Sequence, residues 1–186
     1  MLIRSQTVVH TVLSALTRSV LRALLGLGLA MATLLASAAP LQPGEPLPPL
    51  QTVDQHDKPW RLEPTSRVLL FAADKAGSDM VLEALQPLSA DALSTRHAAF
   101  VADIHAMPSL VTRMFALPKL RDVPFAIGLG HEAALTARLP RTAKQVTLIR
   151  LHEGVVQGFQ FVASPAELKQ ALASLSQQSL IPSLQR

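Results

Sequence analysis

Five consecutive apolar residues, Val68-Leu69-Leu70-Phe71-Ala72, restrict the fold more than any other part of the chain. A strand of that composition has no polar face, so it must be covered on both sides. Such a strand calls for a layer of structure on each side of a central sheet. The run breaks at Asp74-Lys75-Ala76-Gly77-Ser78-Asp79, after which Val81, Leu82, Leu85 and Leu88 recur at helical spacing. Ser78 is expected to cap this helix, with Asp79 favouring its first turn by charge.

The rest of the pattern extends the same architecture. Leu41 to Pro49 is proline-rich and should run extended, since proline has no N–H and a fixed φ. A short strand from Leu50 to Val53, a polar turn and a strand through Trp60 and Leu62 form an opening hairpin. Phe100 to Ile104 is a second buried strand, and Leu110, Val111, Met114 and Leu117 mark a helix from Met107 that Pro118 should end. Strands are expected from Phe125 to Leu129 and from Leu135 to Leu139. Val146 to Leu151 and Val155 to Val162 then form the clearest hairpin, turned at His152-Glu153-Gly154. Ser164-Pro165-Ala166-Glu167 supplies an N-cap, a first-turn proline and a capping-box acid for a last helix. Leu168, Ala171, Leu172 and Leu175 are its apolar face, and the chain from Gln177 reads as a loose polar tail.

The beginning of the chain reads as a secretory signal, residues 1–38. Arg4, Arg18 and Arg22 precede an apolar run from Ala23 to Ala36, which ends in Ala36-Ser37-Ala38. That run is too short for a comfortable transmembrane helix, so cleavage before Ala39 or Pro40 is expected, with no membrane span afterwards. The product would be periplasmic or secreted, or anchored if the leader is not cut. Three arginines leave with the leader while all 13 acids stay, so the formal charge falls from +4 to +1. A domain so near neutrality has no general attraction for nucleic acid. The 186-residue chain contains no cysteine, which excludes thiolate nucleophiles, disulfide exchange and Cys-ligated metals. Gly128-Leu129-Gly130 lacks the strand–turn–helix setting of a phosphate-binding loop.

Three stretches resemble the thioredoxin-like superfamily, nearest its exported peroxiredoxin-like and membrane-tethered thiol-reductase branches. Pro43-Gly44, Leu50-x-x-x-Asp54 and Asp57-Lys58-Pro59-Trp60-x-Leu62 are similar to their opening hairpin. Val68 to Asp79 is similar to their first central strand and active-site turn, and Val123-Pro124-Phe125 to their cis-proline element. The resemblance runs from Pro43 to Leu175. It implies an α/β fold of thioredoxin-like type: a three-layer sandwich whose mixed central sheet is flanked by helices, with an N-terminal hairpin and an extra C-terminal hairpin. The segment between Leu129 and Leu151 looks longer than in thioredoxin and implies an added hairpin there. Family members carry Cys-x-x-Cys or one peroxidatic Cys at the helix start; those positions fall here on Ala76 and Asp79, with Ser78 where proline is common. The resemblance therefore implies a degenerate member without thiol–disulfide oxidoreductase or peroxidase activity.

No catalytic, cofactor-binding or metal-binding residue is assigned. Lys75, Ala76, Gly77, Ser78, Asp79, Val123, Pro124 and Phe125 are expected to converge at one edge. There they could dock a protein or peptide of the cell envelope, using helix N–H groups and an extended backbone. They fit a solvated turn with a helix cap as well. Asp103 and His105 end the second central strand near that edge and are weaker polar candidates for a metal or small-molecule carrier. The histidines His56, His97, His105, His131 and His152 form no ligand pair at i, i+4, which favours surface loops. Arg113, Lys119 and Arg121 read as an anionic docking patch or as a solvated helix end. A structural subunit of an envelope complex is a third reading.

Overall fold

A computed structural model describes residues 39–105, 112, 114 and 117–178. Seven strands form one mixed sheet: β1 (Gln51–Val53), β2 (Pro59–Arg61), β3 (Val68–Ala72), β4 (Ala98–Asp103), β5 (Gly128–Gly130), β6 (Val146–His152) and β7 (Val155–Val162). Among the described residues four α-helices accompany them: α1 (Lys75–Ala84), α2 (Leu117–Arg121), α3 (Ala133–Thr136) and α4 (Pro165–Gln178). The strand order is β2-β1-β5-β4-β3-β6-β7. β3 is parallel to β4, β4 is parallel to β5, and β6 lies antiparallel to β3.

Every residue of β3 is buried, as its uninterrupted apolar run requires. Leu70, Ala72, Phe100, Val146 and Leu148 point to one face and pack with Val81 and Leu82 of α1 and Leu168 and Leu172 of α4. Leu69, Phe71, Val101 and Ile149 point to the other, where Leu41 and Leu50 of the opening segment, Leu139 and the partly buried Trp60 and Leu135 cover them. Burying two such clusters is what allows a chain with no cross-link to hold a fold.

A local signal accounts for the start of α4. Glu167 donates its backbone N–H to Ser164 Oγ at 3.2 Å, and its carboxylate accepts from the Ala163 N–H at 3.1 Å. That is a capping box with its return bond displaced by one residue. α4 runs to Gln178, so its last turn includes the start of the expected polar tail; residues beyond it lie outside the described set.

Four expectations are corrected. Ser78 does not cap α1: the helix starts three residues earlier, and Asp74, in extended backbone, accepts the Gly77 N–H at 2.8 Å. An aspartate and a serine are near-equal caps, so the cap goes to the residue that leaves β3 directly. Pro118 does not end a helix, because α2 runs through it; a helical turn accepts proline wherever its N–H is not needed. The helix expected from Met107 otherwise lies outside the described residues, apart from Thr112, Met114 and Leu117. The chain from Leu135 to Leu139 is no strand. It is the end of α3 and a turn, so the C-terminal hairpin is β6–β7 alone. Val123–Pro124 is trans, and the cis peptide bond among the described residues is Gln86–Pro87.

Gly128 shows how closely the opening hairpin packs. A Cβ there would lie 2.7 Å from the Trp60 ring. Gly128→Ala must displace the ring of the only tryptophan, so it should lower stability by about 1–3 kcal/mol and shift the Trp60 emission together with the urea midpoint.

Candidate functional site

The parallel strands β3 and β4 end on one edge of the sheet, and α1 begins there. A helix start leaves unsatisfied N–H groups and a partial positive charge. Here the chain supplies its own anion. One Asp74 carboxylate oxygen takes the Gly77 N–H, and the other takes the backbone N–H of Lys144 at 2.7 Å. Lys144, at positive φ, belongs to the loop that precedes β6. The loop comes so near that a Cβ on Gly77 would lie 3.0 Å from the Gln145 carbonyl oxygen and 3.2 Å from Ala72 Cβ. Gly77 is thus kept for space.

The other end of this loop is tied by a buried charge. Asp103, at the end of β4, is almost fully buried and accepts from Arg141 Nη1 at 3.1 Å, Thr136 Oγ1 at 2.7 Å and the His105 N–H at 3.0 Å. Arg141 also donates to the Thr136 carbonyl at 2.7 Å and lies over the Phe71 ring, 5.4 Å from its centre. With its carboxylate filled in this way, Asp103 is a structural anchor, and His105 is exposed beside it.

Asp79 has two cationic partners. Lys75 donates to one oxygen from within α1, and Lys119 of α2 donates to the other at 2.7 Å. Partial burial works against its charged form, but hydrogen bonds from Lys119 and Lys75, and then their charges, outweigh it. The carboxyl is held below its ordinary value of 3.8. Ser78 is buried and donates Oγ–H to the Asp74 carbonyl at 3.2 Å. Lys75 and Ala76 are exposed.

Val123 and Phe125 lie in the apolar cluster that α1 joins through Val81 and Leu82, and Pro124 is exposed. Val123 and Phe125 are buried, and their carbonyls accept from Gln55 Nε2 at 3.5 and 2.7 Å. Gln55 Oε1 in turn accepts the Ile127 N–H at 2.9 Å. The expected convergence needs the strand that follows Val123-Pro124-Phe125 to run past the start of α1. In the fold that strand, β5, adds on beyond β4, and the strand beside α1 is β6. The segment facing the helix start is therefore the loop through Arg141, Lys144 and Gln145, which sequence reasoning missed. Its signal is weak: a lone Pro140-Arg141 in a stretch read as a link between strands. Of the basic patch, Lys119 pairs with Asp79, and Arg121 donates to Asp57 at 3.3 Å and to the Gln55 carbonyl at 2.9 Å; Arg113 lies outside the described residues.

Hollows in the surface lie elsewhere. One of about 250 Å³ is lined by Trp60, Glu63, Ser94, His97 and Phe125, and another of about 680 Å³ runs along Gln51, Pro59, Trp60 and Ala126. Among the described residues no group of three or more His, Asp or Glu is placed to hold a metal ion.

No protein-family model matches the chain, and no curated protein sequence matches it either. Solved structures do. A protein assigned as the thiol:disulfide interchange protein DsbE of Chlorobium tepidum superposes with a TM-score of 0.51 at 18% identity, over 75% of this chain and 99% of its own. The peroxidoxin BcpB of Mycobacterium tuberculosis matches with a TM-score of 0.49 at 17% identity, over 77% of this chain and 99% of its own. At 18% identity the likeness to the Chlorobium tepidum structure defines the fold, which is thioredoxin-like. This chain is a cysteine-free version of it, with Ala76 and Asp79 at the start of α1.

Two outcomes separate the ties at this edge. Arg141→Ala leaves the Asp103 carboxylate buried without its cation and should cost roughly 2–3 kcal/mol in urea unfolding. Lys119→Ala breaks an exposed pair and should cost less than about 1 kcal/mol. The depressed Asp79 carboxyl contributes stability that is fully present above its unfolded value and is lost as pH falls through its lower folded value. The parent should thus exceed Asp79→Asn in melting temperature above about pH 5, with the gap closing below pH 3.8 and shrinking in high salt.

Proposed function

We propose that this chain is an exported, non-catalytic thioredoxin-fold protein that docks a protein or peptide partner of the cell envelope around the start of α1. The observation that carries the reading is the filled helix start. Asp74, Lys144 and Gln145 close the place where the fold's thiol chemistry would sit, while Lys75, Ala76 and the Asp79–Lys119 pair stay at the surface. A scaffold kept in this form offers a charged, shaped surface and no nucleophile. Export rests on the leader, residues 1–38, with its basic start and Ala36-Ser37-Ala38. No described helix is long and apolar enough to cross a membrane.

The docking residues follow the geometry. Lys75, Ala76, Asp79 and Lys119 form the surface, with Pro124 exposed just beyond α2. Gly77 and Ser78 shape the helix start from below, and Val123 and Phe125 belong to the core. A carrier or metal role for Asp79, Asp103 and His105 gains no support, since both carboxylates are taken up by cations.

Lys75→Ala and Pro124→Glu test the reading. Crosslinked in the intact envelope, each should capture its partner roughly tenfold less than the parent, with an unchanged melting temperature. Capture equal to the parent by both variants would remove the start of α1 as the docking surface.

A further inference from the structure

Two of the surface hollows adjoin, and Trp60 belongs to both. The hollow of about 250 Å³ and the one of about 680 Å³ share Trp60, Arg61, Glu63 and Ala126. They lie toward the beginnings of two parallel strands, where His97 leads into β4 and Ala126 precedes β5. α1 follows the end of β3, at the opposite end of the parallel strands, so this concave surface is separate from the docking reading.

The walls are apolar: the Trp60 ring, Leu93, Phe125 and the small side chains of Ala90, Ala98 and Ala126. The polar groups on them are mostly donors. Gly128 holds the indole from one side, since a Cβ there would meet it at Cδ2, Cε3 and Cζ3, away from Nε1. No described residue accepts from that N–H, and the Thr65 and Ser66 hydroxyls and the His97 ring have no hydrogen-bond partner among the described residues either. Glu63 is the one carboxylate on these walls, and it lies 3.5 Å from Arg61 in an exposed pair.

A surface with spare donors and few acceptors suits a ligand with spare acceptors and few donors. A proline-rich peptide is such a ligand, because proline keeps its carbonyl and has no N–H. In polyproline II form it makes no internal hydrogen bonds, so its carbonyls stay open to donors. Strand addition is the rival way to hold a peptide here, and the adjoining edge opposes it: β2 is three residues long, begins with Pro59 and carries Arg61. We infer that the two hollows take a proline-rich segment in polyproline II form, with its rings packed on either side of Trp60 and a carbonyl accepting from Trp60 Nε1. A preformed helix of this kind loses little entropy on docking to an aromatic-lined groove, and a ring already fixed by Gly128 adds little further cost.

The probe is a capped oligoproline of about nine residues, roughly 28 Å long, added to the exported protein. Trp60 is the only tryptophan, so its emission should shift and saturate as the peptide binds. By calorimetry, Trp60→Phe, which keeps an aromatic ring and removes the donor, should bind roughly tenfold more weakly than the parent. Ala126 is exposed and lines both hollows, so Ala126→Glu should abolish binding with an unchanged melting temperature. A glycine–serine peptide of equal length should not bind. No saturable change up to about millimolar peptide overturns the inference. A Trp60 shielded from acrylamide in the free protein overturns it too, because another part of the chain then fills the hollows. Oligoproline binding that survives Ala126→Glu, or that the glycine–serine peptide equals, also overturns it.

Discussion

The double use of the Asp74 carboxylate organises the edge of the sheet at which α1 begins. The carboxylate sits where β3 hands over to α1, next to the start of β6 in the sheet. One oxygen satisfies the helix and the other holds the Lys144 N–H, so helix start, central strand and returning loop are fastened at one point. The position rewards an anion because the helix N-terminus has free donors and positive potential. Gly77 then lets the loop come into contact, and Arg141 secures its far end on Asp103. The loop is thereby held at both ends by acids that leave the two parallel strands β3 and β4.

This arrangement gives physical meaning to the missing thiols. In a helix start built for thiolate chemistry, the local field lowers the pKa of a cysteine. Here the same field is met by the protein's own carboxylate, and Asp79, four residues into the helix, turns to lysines on two helices. Exposed pairs of this kind contribute little individually. The buried Asp103–Arg141 contact matters more, because its acid is withdrawn from water. The edge is thus stabilised by ionic and hydrogen-bonded ties. What it presents outward is charge and shape.

Gln55 plays a comparable part on the far side of β4. Its side chain spans three backbone groups around Phe125 and Ile127, and its own carbonyl takes Arg121. A buried amide serves there because the chain between α2 and β5 has no strand partner for those groups, and buried carbonyls need donors. Among the described residues the outer side of β7 is paired only at its start, by Gly44, Glu45 and Pro46.

Several features were legible in the residues themselves. The run from Val68 to Ala72 required a doubly covered strand, Ser164 to Glu167 announced a helix, and His152-Glu153-Gly154 marked a hairpin, because each is a matter of local backbone preference and short-range burial. The lack of cysteine excluded thiol chemistry with no structure needed. The cap of α1, the partner of Asp103 and the identity of the loop facing the helix were not legible. Asp74 and Lys144 are 70 residues apart, Asp103 and Arg141 38, and Gln55 and Phe125 70. No local preference links residues so distant; only the strand order brings them together. The sequence alone thus determined the layered sheet and its missing chemistry, since burial and reactivity belong to residue types. Tertiary structure decided which groups meet at the edge, since the insertion of β5 beside β4 and of β6 beside β3 is a choice of strand pairing that only the assembled sheet makes.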